Sequence, residues 1–596
     1  MEYMGIKIDL ERDKLFDELG IKRLKESYMR TDETSPQQRF AFVSSSFGSN
    51  PEHAQRLYEY SSKHWLSFST PILSFGRSKR GLPISCFLNF IEDTAQGLVD
   101  NYSETSWLSM LGGGVGIGFG IRSASEKSTG VMAHLKTYDA SSMAYKQGDT
   151  RRGSYAAYLD ISHPDITSFL EMRKPTGDPN VRCLNLHHGI NITDDFMEII
   201  ERCMMNPDEN DDWELKDPSN GEVREVVSAK YLWQQILELR MHTGEPYLHF
   251  IDTSNRMLPD HLKKKGLKVH QSNLCSEIIL PTNKDRTAVC CLSSLNLEYY
   301  DEWKNEPLLL KDVAEMLDNV LQFFIDTAPS SIQRARYSAQ LERSIGVGAL
   351  GFHALLQRNS IAFEGVMAKV LNNKIFKHIR SGLDEANIAL GLERGEAPDA
   401  KGTGLRFSHV MAIAPNASSS IIMGNTSPSI EPYRANAYRQ DTLSGSFLNK
   451  NRYLDAIIRE EAKNHKEGWY EETWSSVIAN DGSVQQLEWM TQELRDVYKT
   501  AMEIDQRWVI EHAADRQVFI DQAQSLNVYF RPDSHIKYIH AIHFMAWKKG
   551  LKTMYYCRSE KIGKADKVSK KIERKVMEEI DMTQLAQGND CIACEG

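Results

Sequence analysis

From position 70 onward the chain alternates short apolar runs with amphipathic stretches, and it keeps this up for several hundred residues. The runs at 86–90, 155–161 and 410–414 read as buried strands, while 311–326 carries apolar residues at helical spacing. Alternation on this scale predicts an α/β fold, because parallel strands need long crossovers and helices supply them. Catalytic groups in such a fold belong on loops at strand ends. Residues 1–69 lack the alternation. There, 13–24 and 51–65 space apolar residues as helices do, which predicts a short helical N-terminal region.

The length, 596 residues, is too great for one ordinary core and implies one very large domain or several smaller ones. A formal net charge of -10 argues against a nucleic-acid coat or a polybasic membrane binder. We find no apolar run long enough to span a bilayer and no signal peptide at the start, so the expected location is the cytoplasm. Nine cysteines in this length are too few for a disulfide scaffold; in a reducing compartment each is first read as a small buried hydrophobe. The Lys/Arg-rich stretch 558–575 reads as a solvated helix face, and 584–596 as a mobile tail.

Several segments do not fit a purely structural reading. In Gln271-Ser272-Asn273-Leu274-Cys275-Ser276-Glu277, an extended backbone would turn Asn273, Cys275 and Glu277 to one face, clustering an amide, a thiol and a carboxylate. The glycine run around Gly116 is no P-loop, since no Gly-Lys-Ser/Thr follows, and it lacks a dinucleotide spacing. Its glycines would let backbone or substrate approach closely. Pro415-Asn416-Ala417-Ser418-Ser419-Ser420 runs into Ile421 and Ile422. A small-residue loop entering a helix suits phosphate, although taken alone it reads first as an ordinary N-cap. Cys591-x-x-Cys594 lacks a second ligand pair for zinc, which favours a redox pair.

These segments, taken in order, resemble class I ribonucleotide reductase large subunits. Ser272 to Ile278 with Leu280-Pro281-Thr282 resembles the family's finger loop. Ser69-Thr70-Pro71-Ile72-Leu73, then Ser85-Cys86, resembles the first barrel strand and its following cysteine. Cys290-x-Leu292-Ser293-x-x-Asn296-Leu297 resembles the strand of the partner cysteine. The 415–420 loop with Gly424-Asn425 and Ile430-Glu431-Pro432 resembles the phosphate loop, with Asn416 where many members have Thr or Ser. Leu551-Lys552-Thr553-Met554-Tyr555-Tyr556 resembles the tandem-tyrosine segment, and Cys591 and Cys594 stand where the family keeps a redox pair, at a spacing shorter than in some members.

The resemblance implies a ten-stranded α/β barrel with a central finger loop over 70–556, a shortened helical region over 1–69 and a redox tail over 557–596. A thiyl radical at Cys275 would take the 3′ hydrogen of the ribose. Glu277 would act as base on the 3′-hydroxyl and Asn273 would orient the sugar. Cys86 would protonate the departing 2′-hydroxyl, and Cys86 with Cys290 would close a disulfide. Strand alternation turns the neighbouring Cys291 to the opposite face. Thr70, Ser85, Gly116, Pro415, Asn416, Ala417, Ser418 and Ser419 would bind substrate. Tyr555 and Tyr556 would carry the radical from a metal-containing small subunit, with no covalently bound cofactor and no metal site in this chain. Asp93, Arg122 and Arg151 would bind a dNTP or ATP effector accompanied by Mg2+ at a homodimer interface. Cys591 and Cys594 would re-reduce the active-site pair and pass electrons from thioredoxin or glutaredoxin. The substrate would be a ribonucleoside diphosphate, or a triphosphate. No pattern of the family's ATP-sensing domain is found, so no on/off inhibition by dATP is expected. A cobalamin-dependent reductase is the nearest rival and would not need the tyrosine pair. A non-enzymatic nucleotide-binding protein on this barrel would lack Cys275 or Glu277, and a glycyl-radical enzyme would carry a C-terminal glycine loop that is not found.

Overall fold

A computed structural model describes residues 1–559 except 79–80, 148–150, 153 and 443–444. The strands that matter to the site are β1 (Leu66–Phe68), β2 (Cys86–Ile91), β3 (Gly114–Phe119), β4 (Ser154–Asp160), β5 (His187–Ile192), β6 (Tyr247–Phe250), β7 (Ala288–Asn296), β8 (Ile345–Leu350), β9 (Val528–Phe530), β10 (Thr553–Met554) and β11 (Cys557–Ser559). Strands β2 to β6 pair parallel in chain order. Long connections, most of them carrying helices, cross back between them, as parallel pairing demands. Every residue of β3, β5 and β8 is buried, which suits strands covered on both faces and explains why they read as continuous apolar runs.

The second half runs the other way. β7 pairs antiparallel with β2 and parallel with β8, and β10 pairs antiparallel with β6. Between β8 and β10 the wall continues through irregular backbone. Val347 bridges Met411 and Ile413 bridges Gln524, both parallel. β9 pairs parallel with β11, and the Tyr555 N–H donates to the Leu526 carbonyl at 2.8 Å. The path therefore returns to β6. Two parallel halves of five members meet antiparallel at two seams, and the expected ten-stranded α/β barrel holds. Segment 410–414 does line the wall, but it forms bridges rather than a regular strand.

One local expectation is corrected. The sequence resemblance places the first barrel strand at Ser69 to Leu73. The strand is β1, just before it, antiparallel to Ser293–Leu295, and Thr70–Leu73 is a single helical turn. Pro71 sits in that first turn, where its fixed φ suits the helix and its missing N–H costs nothing.

Outside the wall, the helix Leu309–Thr327 buries Val313, Met316, Leu317, Val320, Leu321 and Phe324 on one stripe, as its spacing predicts. The N-terminal region is helical. Ser35 and Gln38 form a reciprocal capping box on Pro36–Phe47, and Asn50 caps Pro51–Ser62. Phe40, Leu57 and Tyr58 join the same continuous core as the barrel residues. Among the described residues, no helix is long and apolar enough to cross a membrane.

Candidate active site

Residues 271–282 cross the inside of the barrel without regular structure, and from Gln271 to Thr282 every residue is buried. The loop is not the extended segment that sequence alternation suggests. It turns at 274–276, with Ser276 at φ +68° and its N–H reaching the Asn273 carbonyl at 3.4 Å. The turn puts Cys275 at the tip and brings Asn273 back against Glu277: the Asn273 amide donates to Glu277 Oε2 at 2.9 Å. Amide and carboxylate are neighbours, as expected, but through a turn and not a shared strand face.

The wall fixes this loop from all sides. The Tyr158 hydroxyl donates to the Asn273 carbonyl at 2.7 Å, and Thr553 to the Ser276 carbonyl at 2.7 Å. The Ser525 hydroxyl donates to the Cys275 carbonyl at 2.5 Å and lies 3.2 Å from Glu277 Oε2. The Gln271 amide donates to the Asn89 carbonyl at 2.6 Å. Gly116 is required by the same packing. A Cβ there would lie 2.1 Å from the Ser272 carbonyl oxygen, so its glycine makes room for the loop backbone.

Burial pushes the Glu277 carboxyl up to about 7, against smaller opposing contributions from Asn273 and Ser525. A carboxylate poised near neutrality can both take and return a proton.

Two apolar clusters flank the loop. On one side Leu274 and Cys275 pack with Tyr158, Tyr247, Tyr555 and Tyr556. The Tyr555 hydroxyl lies 3.7 Å from the Cys275 sulfur, and the Tyr555 and Tyr556 rings stand 4.1 Å apart between centroids. Both tyrosines are buried, whereas a plain strand would show one ring in and one out. Tyr247 packs on both, at 4.8 and 5.2 Å.

On the other side Ile278 and Leu280 pack with Cys86, Cys290 and Ala412. Cys86 and Cys290 face each other directly in the antiparallel seam of β2 and β7. Directly opposed residues in such a pair have Cα atoms about 4.5–5.5 Å apart, inside the range a disulfide spans. Cys291 points into the main core instead. Burial raises both Cys86 and Cys290 well above the usual thiol range.

The 415–420 loop leads into the turn Ala417–Ile422 at the end of segment 410–414. Asn416 is left-handed at φ +57°, and its amide donates to the Ser294 hydroxyl of β7 at 3.1 Å. Its side chain therefore braces the loop against the wall. Ser418, Ser419 and Ser420 are buried, and Arg23 from the helix Glu18–Ser27 donates to the Ser418 hydroxyl at 3.3 Å. Thr70 accepts or donates a 3.2 Å bond with Tyr28, and Ser85 ends the connection into β2.

Asp93 and Arg122, 29 positions apart, meet in an ion pair with a closest contact of 2.9 Å on the surface. The Arg151 side chain lies outside the described residues, as do Cys591 and Cys594.

Sequence reasoning missed Tyr247, Gln522, Ser525 and Arg23. The run Gln522-Ala523-Gln524-Ser525 offered a signal: polar side chains crowd a stretch flanked by Ile520 and Leu526. Nothing near Arg23 in sequence marks it, because its neighbour Ser418 is 395 positions away.

Comparison with known proteins agrees with this architecture. Residues 84–402 and 397–557 match the family model described as "Ribonucleotide reductase, barrel domain", and 14–81 match "Ribonucleotide reductase, all-alpha domain". The ribonucleoside-diphosphate reductase large subunit of Invertebrate iridescent virus 3 is 50% identical, with 99% of this chain and 100% of that protein covered. The protein of that name from Caenorhabditis elegans is 30% identical over 98% of this chain and 82% of its own length. Among solved structures, the Actinobacillus ureae class Id ribonucleotide reductase alpha subunit superposes with a TM-score of 0.80 at 34% identity, covering 93% of this chain and 98% of that one.

Proposed function

The chain belongs to the ribonucleotide reductase large-subunit family, and from that premise we propose that it reduces ribonucleoside diphosphates to 2′-deoxyribonucleotides by thiyl-radical chemistry on Cys275. The observation that carries this reading is the placement of the Cys275 sulfur 3.7 Å from the Tyr555 hydroxyl, on a buried loop between the tyrosines and the Cys86–Cys290 seam.

Each group has a task its surroundings support. A partner small subunit supplies the one-electron oxidant. Tyr556 and Tyr555 relay the hole, each giving up an electron and its phenolic proton together. At the end Cys275 S–H gives its hydrogen to Tyr555, and the sulfur radical takes the 3′ hydrogen of the ribose. Glu277 accepts the 3′-hydroxyl proton, and Asn273, tied to Glu277, holds the hydroxyls in place. Loss of the 2′-hydroxyl as water consumes a proton from Cys86. Cys86 and Cys290 then supply two electrons and join as a disulfide. Cys275 then returns the 3′ hydrogen to the ribose, and the regenerated sulfur radical takes a hydrogen back from Tyr555 as the hole returns to the small subunit.

The 415–420 loop, with Ser418 and Ser419, receives the diphosphate, and Arg23 adds the cation that a phosphate group favours. Asp93 and Arg122 form one locus for the effector nucleotide and its Mg2+, to which Arg151 would also contribute. A homodimer, a thioredoxin-type reductant and the tail pair Cys591–Cys594 complete the cycle.

The test is reduction of CDP to dCDP with dithiothreitol and an effector, using the chain alone, with adenosylcobalamin, and with a radical-loaded small subunit. Product only in the third arm is the expected result. Product with cobalamin alone would reduce the tyrosine pair to packing.

A further inference from the structure

Gln522 touches the sulfur of Cys290, and its orientation is forced. Its Oε1 accepts from the Ile279 N–H at 3.1 Å, a group that can only donate. Its Nε2 donates to the Ile345 carbonyl at 3.2 Å, a group that can only accept. With both ends fixed by backbone, the second amide hydrogen is left for the Cys290 sulfur, 3.3 Å away. Gln522 has no solvent exposure, so this donor has no water to bond instead. Cys86 differs on two counts. It is the more exposed of the pair, 6% against 1%. The strongest influence on its thiol after burial is repulsion by Glu277, which outranks the opposing effects of Ser85 and Asn273. At Cys290 the strongest after burial is Gln522, which favours the thiolate against smaller repulsions from Cys291, Glu277 and Glu342.

Resting on the reading that these two cysteines become a disulfide in each turnover, we propose that Gln522 sets the direction of its re-reduction, making Cys290 the leaving sulfur and Cys86 the sulfur attacked. An incoming thiolate bonds to Cys86 Sγ, and the Cys86–Cys290 bond breaks. Cys290 departs with the electron pair as a thiolate stabilised by the Gln522 N–H, then takes a proton from solvent. A second reductant thiolate attacks the reductant sulfur of the mixed disulfide and releases Cys86. Two thiols are oxidised and one disulfide is reduced. The better-stabilised thiolate leaves faster, so the N–H···S contact acts on rate as well as direction. Gln522 is thus a positioning residue for the cysteine pair.

The experiment uses full-length chain with Cys591→Ser and Cys594→Ser, so that the tail cannot reduce the pair. It turns over once on CDP with the small subunit and no reductant, then meets excess 2-mercaptoethanol. Acid quenching, alkylation and peptide mass spectrometry locate the adduct. The expected adduct is on Cys86, with Cys290 free. In Gln522→Met the adduct should spread over both sulfurs and disulfide opening should slow about tenfold. An adduct mainly on Cys290 in the Gln522 protein overturns the proposal without needing the variant. So does a Gln522→Met protein with the same partition and rate. If one turnover leaves no Cys86–Cys290 disulfide at all, the cysteine-pair assignment itself fails, and that outcome is distinct from either.

Discussion

The Tyr555 hydroxyl stands 3.7 Å from the Cys275 sulfur, a thiol at the tip of a buried turn, which is close enough for a hydrogen atom to pass between them without a carrier. Removing that one oxygen keeps the ring, the packing against Tyr247 and Tyr556, and the fold. Tyr555→Phe should therefore bind substrate, effector and the small subunit as before and lose dCDP formation to assay background. Equilibrium binding beside a turnover assay checks both halves, and retained turnover would remove Tyr555 from the relay.

Glu277 is raised from 4.5 to about 7, so its ionised form is disfavoured in the folded chain. Between those values the unfolded carboxyl has lost its proton and the folded one has kept it. The associated stability is full below 4.5 and is lost as pH rises through about 7, by roughly 3 kcal/mol. Glu277→Gln should then melt higher than the unaltered chain at pH 8 and about equally at pH 4.5. Turnover should fall about 10²–10⁴-fold. In the unaltered chain the rate should rise with pH through the neutral range as the base ionises. Melting curves and pH–rate profiles measure these effects, and a lower melting temperature for the variant at pH 8 would count against the buried charge.

Cys290 and Cys291 are adjacent yet face different clusters. Cys290→Ser should abolish multiple turnover. Cys291→Ala should keep turnover and cost about 1–2 kcal/mol through lost core packing, read as a shift in denaturant midpoint. The reverse pattern would mean that the strand register is wrong.

Gly116→Ala should be severe. The new methyl meets the Ser272 carbonyl at 2.1 Å and the Asn273 Cα at 2.8 Å, both backbone groups of the finger loop with nowhere to go. A destabilisation of about 1–3 kcal/mol is expected, together with loss of turnover, because Asn273 must shift. Wild-type kinetics in this variant would show the loop to be free to move.

Much of this was legible in the sequence, and the reasons differ by element. The α/β class could be anticipated from the alternation of apolar runs with amphipathic stretches, whereas the ten-stranded barrel followed from the family resemblance of the motifs. Cys290 was separable from Cys291 because the family motif's register selects Cys290 and strand alternation then turns Cys291 to the other face. The finger loop was mislaid locally: Ser276 adopts a left-handed φ that no turn residue such as glycine announces, so an extended reading was the natural one. Segment 410–414 looks like a strand and behaves as one for hydrogen bonding, but only its partner Val347 lies in a regular strand, while Gln524 on its other side does not. Gln522 and Arg23 stayed hidden because their value lies in contacts across 232 and 395 positions. No local pattern encodes such distances.

The two antiparallel seams join Cys86 to Cys290 and Leu248 to Met554. The second cannot zip until nearly all the described chain has been made. A ribosome at roughly 5–20 residues per second needs tens of seconds to travel from Cys275 to Cys557. Through that interval the reactive thiol has its loop but not its last wall, since Ser525, Thr553 and Tyr555 all come later. The enclosure of Cys275 is thus a late event in the life of each molecule. On the proposed reading, a chain stalled before Tyr555 would carry a thiol unable to receive a radical, because the strand that shuts the barrel leads directly into the tyrosines that would deliver it.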